Sequence, residues 1–218
     1  MKSNAELQRD VQDAIKWQPL LNAAEIGVTA KDGVVSLTGV VDSYAKKTEA
    51  EDAAKNVAGV TALVEKIEVR YPSSYSKTNA EIATEVLTAL KSRWDVPSDK
   101  IKVKVEAGWV TLTGELSWNY QKEAATDAIA GLMGVTGVTN SITIKSESME
   151  SIEKTAIEKA LKLNWAFYDN NIRVKVSGHK ATLTGTVDSL YQKHEAERIA
   201  WNAPGVWMVD NELLVTWN

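Results

Sequence analysis

The chain has 218 residues, 44% of them apolar and 25% charged, with a formal net charge of −4, the balance of an ordinary folded protein rather than a disordered or fibrous one. It contains no cysteine, which excludes disulfide scaffolds, zinc–thiolate sites and thiol nucleophiles. The charge is spread evenly, so no stretch announces nucleic-acid binding, and no run approaches the roughly 20 apolar residues of a membrane-spanning helix.

The first predicted element is a helix. Ser3 and Glu6 have the capping-box spacing, in which a hydroxyl and a carboxylate satisfy orphan amides at the helix start. A strand through Ile26 and Val28 and a second at 33–41, "GVVSLTGVV", then read as a hairpin. A second helix turns Ala50, Ala53, Ala54 and Val57 inward. The pair Gly59-Val60 ends it, Gly being common just beyond a helix, and a last strand carries Ile67 and Val69.

The same grammar restarts at Thr78 and Glu81, again with capping-box spacing. Val86, Ala89 and Leu90 give the helix an apolar face. Ile101, Val103 and Val105 point inward while Lys100, Lys102 and Lys104 point outward. After a turn at Gly108, Val110 and Leu112 point in, and Trp109, Thr111 and Thr113 point out. A helix with Ala125, Ala128, Ile129 and Leu132 inward ends at Gly134-Val135, and a strand holds Ile142 and Ile144. The third pass runs through Ile157, Ala160 and Leu161, then Ile172 and Val174, then "HKATLTGTV" at 179–187. It closes with Ala196, Ile199, Ala200 and Ala203, with Gly205-Val206, and with Leu213 and Val215.

The three passes are one repeat. Gly39, Gly114 and Gly185, after each Leu-Thr pair, are spaced by 75 and 71 residues. The same register holds for Gly59, Gly134 and Gly205. Both glycine sets are expected to be structural, the first ending a strand where a side chain would be awkward. The period differs only in the Ser-rich connections 71–78 and 145–151. The expected units are 1–71, 78–146 and 149–218, near the lower size at which a domain folds alone. The order is α-β-β-α-β. The fold class is α+β: three tandem units, each a mixed three-stranded sheet with two helices on one face.

The unit resembles the BON domain, named for bacterial osmotically induced and nodulation proteins. The resemblance is carried by "KDGVVSLTGVVDSYAKKTEAEDAAKNVAGVTALVEKIEV", "AGWVTLTGELSWNYQKEAATDAIAGLMGVTGVTNSITI" and "GHKATLTGTVDSLYQKHEAERIAWNAPGVWMVDNELLV". It covers nearly the whole chain. In the third copy Gly178 comes one position early and His179 fills the usual glycine position. The resemblance implies an αββαβ fold, no enzymatic activity and no cofactor. It further implies roles in osmotic and envelope stress, with phospholipid or small-ion binding, often in the periplasm. The opening "MKSNAELQRD" lacks the apolar core of a secretory signal, so the expected compartment is the cytoplasm; a mature exported chain with an added Met would read the same.

No catalytic constellation is visible. His179 and His194 have no repeating Ser or Asp neighbour and are expected in solvent, on a turn and a helix. "GLMGVTG" at 131–137 ends a helix, whereas a phosphate fingerprint follows a strand and opens one. The carboxylates scatter among Lys and Arg as a solvated face, and no metal site is expected.

Two features point to binding. The outward row Lys100, Lys102, Lys104, echoed by Arg173 and Lys175, either discourages edge-to-edge strand pairing or contacts an anionic surface. Trp109 should share that face and could sit under an ammonium group. Trp17, Trp94 and Trp165 recur between the first helix and the first strand, where a large ring is expected to lid the core. Trp201 and Trp207, with Tyr191 and Met208, form an apolar excess in the third unit. They are expected to be covered by another unit, a dimer mate, a lipid or a client protein. The leading expectation is a non-enzymatic stress-response protein contacting anionic phospholipid or another ligand through units two and three. A protein-binding scaffold or homo-oligomer, and a monovalent-cation (potassium) sensor, stand as alternatives.

Overall fold

The computed structural model describes residues 2–72, 77–145, 152–167 and 171–216. Of the Ser-rich connections expected at 71–78 and 145–151, residues 73–76 and 146–151 fall outside these. The element order is α1 (Asn4–Lys16), β1 (Ile26–Lys31), β2 (Val34–Val41), α2 (Tyr44–Lys55), β3 (Ala62–Val69), α3 (Asn79–Ser92), β4 (Ile101–Glu106), β5 (Trp109–Leu116), α4 (Asn119–Ala130), β6 (Gly137–Ile144), α5 (Lys154–Leu163), β7 (Arg173–Ser177), β8 (Lys180–Val187), α6 (Leu190–Trp201) and β9 (Met208–Val215). The αββαβ order recurs three times. Each repeat has its own three-stranded sheet, with the middle strand second in sequence.

The sheets are mixed, as the patterns required. β4 and β5 pair antiparallel with Val103 opposite Leu112, and β5 and β6 pair parallel with Leu112 opposite Asn140. β7, β8 and β9 repeat this with Leu183 opposite Val174 and Asn211. Period-two alternation sends Val110 and Leu112 into the core of the second repeat, where they meet Val86 and Leu90 of α3 and Ala125 and Ile129 of α4. Ala50, Ala53 and Ala54, Ala124 and Ala125, and Ala196 and Ala200 of the second helices are buried, a methyl group letting helix and sheet approach closely, while the expected inward Ala128 is half-buried.

Both expected capping boxes form. Ser3 and Thr78 hydroxyls accept from the amides of Glu6 and Glu81 at 3.2 and 3.3 Å. The two carboxylates accept from the Ser3 and Thr78 amides at 2.7 and 2.8 Å. These amide bonds, with the cap hydroxyls second, hold both carboxyls below the usual range.

The chain divides into two compact units, one of Met1–Thr38, Glu49–Lys66 and Ser146–Asn218, the other of Gly39–Thr48 and Ile67–Lys145. The first repeat contributes to both. Within the second unit, Tyr44 packs against the core of the second repeat and the Tyr71 hydroxyl donates to the Val135 carbonyl at 2.9 Å. Burial pushes the Tyr71 phenol up. Within the first unit, the Gly59 amide donates to the Asp188 carbonyl at 3.4 Å.

Gly114 has φ of +152° and Gly185 of +131°. A Cβ on either would overlap a backbone carbonyl, that of Lys100 or of Asn171. The glycine therefore lets the segment entering the first strand of the repeat cross the end of the middle strand.

Candidate functional site

The link from first helix to first strand is where the structure departs most from expectation. Trp17, Trp94 and Trp165 do not lid the cores: they are 83, 94 and 82% exposed. The inward position belongs instead to Leu21, Val96 and Phe167, which share one repeat register. Val96 and Phe167 are buried and Leu21 is half-buried. The backbone leaves the helix so that this later, smaller residue faces the core and the indole faces water. Trp94 and Trp165 stand seven residues before Ile101 and Ile172; Trp17 stands nine before Ile26. Leu163, 76% exposed, fills Trp17's register in the third repeat, and Leu20 is 50% exposed beside Trp17.

These tips are held by their backbones and neighbours. The Trp17 amide donates to the Asp13 carbonyl at 3.1 Å. Arg93 and Asp95 flank Trp94 and form a two-pronged pair at 2.8 and 2.7 Å, whose hydrogen bonds lower the Asp95 carboxyl and raise the guanidinium. Beside Trp165, Asn164 accepts from the Ala166 amide at 2.9 Å and donates to Glu195 at 3.0 Å. Gln192 donates to the Ala166 carbonyl at 2.8 Å.

Lysine stands in the last turn of all three first helices: Lys16, Lys91 and Lys162, in one repeat register and all exposed. A cation there also suits the helix dipole. Sequence reasoning missed these lysines, although the 75- and 71-residue spacing links them. A cleft of about 210 Å³ between α1 and β1 is lined by Gln12, Ile15, Lys16, Ala23, Ile26 and Val28. Its counterpart in the third repeat, about 250 Å³, has Glu158, Leu161, Lys162 and Ile172 in the same register, with Phe167 and Arg173. Both are smaller than the roughly 300–1,000 Å³ of most small-molecule sites.

The outward basic row lies where the alternation placed it. Lys100 ends the short 3-10 turn Ser98–Lys100, and Lys102, Lys104, Arg173 and Lys175 are exposed on β4 and β7. Lys104 pairs with Glu106 at 2.8 Å. Trp109 shares the face, but its indole does not sit under an ammonium group. It lies over Gly137, where a Cβ would collide with the ring, and its Nε1–H donates to Thr139 at 2.8 Å. Missing bulk at Gly137 draws the ring across β6, away from the lysines on β4.

The expected aromatic patch of the third repeat is divided. Trp201 is half-buried against the core of its own repeat. Trp207 is half-buried and stacks on His179 with centroids 3.7 Å apart and planes 4° apart. Tyr191 and Met208 are 39 and 55% exposed. His179 is thus not a free turn residue: its Nδ1–H donates to the Gly205 carbonyl at 2.8 Å. His194 keeps surface in water, yet partial burial of its ring, then nearby Lys55, push its pKa down. Among the described residues, no group of three His, Cys, Asp or Glu is placed to hold a metal ion, and no helix is long and apolar enough to cross a membrane.

The BON domain model matches residues 3–71, 78–146 and 151–216. Osmotically-inducible protein Y of Escherichia coli (strain K12) is 30% identical over 129 residues, spanning 57% of this chain and 64% of that protein. The C-terminal domain of CdsD, the structural protein of the type III secretion system of Chlamydia trachomatis, is 16% identical over 99% of this chain and 100% of that chain. Its TM-score of 0.26 carries no structural inference. The three matches follow the three sheets and the repeated Leu-Thr-Gly strands, and the chain belongs to the BON domain family.

Proposed function

We propose that this chain is a non-enzymatic stress-response protein that docks on an anionic phospholipid surface through its second and third repeats. The observation that carries the reading is a recurrence. Arg173 and Lys175 stand in the register of Lys102 and Lys104, and all four are exposed on the sheet face turned away from the core. Lys100 and Trp109 extend the face in the second repeat, and Tyr191 offers an exposed ring in the third; Trp201 and Trp207 have most of their surface covered. Family membership and the likeness to an osmotically inducible protein support the stress role.

A basic side chain near an anionic membrane contributes about 1 kcal/mol, so four amount to a large part of a weak, reversible attachment. The test is co-sedimentation with phosphatidylglycerol-containing and pure phosphatidylcholine vesicles. The comparison protein carries Lys102→Glu, Lys104→Glu, Arg173→Glu and Lys175→Glu together. Selective binding to the anionic vesicles, lost in the variant with an unchanged melt, is the expected result. Equal binding by variant and wild type would refute the reading.

A further inference from the structure

We propose that Trp109 is the stacking platform of a carbohydrate site on the open sheet face of the second repeat, and that its ligand is an uncharged, β-linked chain of hexopyranose rings. This goes beyond the phospholipid reading and does not rest on it, since that reading is carried by Lys102, Lys104, Arg173 and Lys175. The ring is built into its place. Trp109 pairs with Gly137 across β5 and β6, and the indole occupies the space that a Cβ of Gly137 would need. Two residues further along β6, Thr139 accepts from the indole Nε1–H at 2.8 Å. The ring is therefore fixed at both ends along β6, yet Trp109 keeps 46% of its surface in water. Glycine inside a strand weakens it and marks a place where another group approaches closely. The other repeats lack this set. Val34 and Lys180 stand in the register of Trp109, Ala62 and Met208 in that of Gly137, and Val64 and Asp210 in that of Thr139. Packing of the repeat does not require it.

The surroundings suit a sugar. Strand register sets Lys104, Thr111 and Thr139 side by side in the next outward row, then Lys102, Thr113 and Ser141. A pyranose with equatorial hydroxyls turns its C–H bonds toward its two faces, and these weakly positive hydrogens match the negative face of an indole. Its hydroxyls point outward from the ring, where threonine and serine hydroxyls, each both donor and acceptor, answer them. The charges agree with an uncharged ligand. Lys104 is paired with Glu106 at 2.8 Å, and Lys145 with Glu115 at 3.7 Å, so charge on this face is offset in pairs rather than gathered around the ring for a phosphate. Among the described residues, the outward positions of β4, β5 and β6 carry no other large apolar side chain. A protein partner would meet one ring among hydroxyls instead of a contiguous apolar patch.

The experiment titrates full-length protein, with 15N in its indole rings, with cellohexaose and with chitohexaose to about 10 mM, maltohexaose serving as the α-linked control. The Trp109 indole N–H resonance is assigned by its loss in Trp109→Ala. We expect a saturable shift of that resonance with a β-linked chain, at a Kd of about 1 mM or tighter, and none with maltohexaose. Trp109→Ala should keep the wild-type melting curve and bind the same chain, by calorimetry, about tenfold more weakly. Gly137→Ala keeps the indole but forces it off β6, and should also weaken binding. No saturable shift with either β-linked chain, or undiminished binding by Trp109→Ala, would overturn the proposal; so would a response to maltohexaose of equal size. If Trp109→Ala melts early, Gly137→Ala decides, and unchanged binding there would overturn the platform. A Trp109 resonance that responds to phosphatidylglycerol vesicles alone would assign the ring to lipid. A wild-type dimer broken by Trp109→Ala would assign it to a second copy of the chain. Either result would replace the sugar.

Discussion

Replacing Gly114 by alanine adds one methyl group where the structure has no room for it. The new Cβ would overlap the carbonyl oxygen of Lys100, and the backbone φ of +152° disfavours any L side chain. A strained backbone position costs about 1–3 kcal/mol. An overlap with main chain, which has no rotamer to escape into, adds about 1–3 kcal/mol. Alanine's stiffer unfolded chain returns about 0.4–1 kcal/mol. The net loss is about 1–5.6 kcal/mol, and for a domain of this size each kcal/mol shifts the melting temperature by about 4–8 °C. Gly131→Ala is the internal control. Gly131 is right-handed at φ −89°, and a Cβ there would meet nothing within 4 Å. That variant should be neutral or stabilised by about 0.4–1 kcal/mol. Urea denaturation of both full-length variants reads the difference. If they fell within about 0.5 kcal/mol of each other, the close approach would not hold the link that carries Trp94.

Other expectations concern the termini of helices, the third core and the division of the chain. The carboxyl of Glu81 is held low by its amide and hydroxyl bonds, so its contribution is present above the unfolded carboxylate pKa and lost as pH falls through the folded one. The melting difference between wild type and Glu81→Gln should therefore shrink on acidification; a difference that grew would contradict the capping box. His194 has the opposite chemistry: its lowered pKa favours the neutral ring in the fold. Stability should decline as pH drops below the ordinary histidine value of about 6.5, and His194→Gln should flatten that part of the profile. Trp201→Lys should destabilise the third repeat by about 1–3 kcal/mol, because the ring packs on its own core; an unchanged urea midpoint would place its value elsewhere. Residues 78–146 alone should melt cooperatively, since the buried core of the second repeat comes from within it. Calorimetry showing no transition would make Tyr44, from the first repeat, part of its minimum fold.

Much of the architecture was legible because packing imposes a period. Alternation in "IKVKVE" and "WVTLTGEL" named the inward residues of β4 and β5, and Ser3/Glu6 and Thr78/Glu81 marked helix starts through local bonds. Side-chain direction in short connections has no such period. That is why Trp94 reads as a core residue from composition and is nearly bare, while Val96, two residues later, does the filling. Trp109 failed for a related reason: what steers its ring is the absent side chain of Gly137, which lies on a different strand. The His179–Trp207 stack joins residues 28 apart in sequence, and no repeat partner exists to suggest it. The lysines at the helix ends were visible as a 75- and 71-residue recurrence. They gain meaning only once the tryptophans beside them are known to face water.

The most direct test of the account is equilibrium partitioning of the wild-type protein onto vesicles with a graded fraction of phosphatidylglycerol, at low salt and at about 0.5 M salt, where charges are screened within a few ångströms. The account predicts partitioning that climbs steeply with the anionic fraction, weakens strongly at high salt and is lost when Lys102, Lys104, Arg173 and Lys175 are replaced by glutamate. Partitioning that is flat against the anionic fraction, or absent throughout, would contradict it.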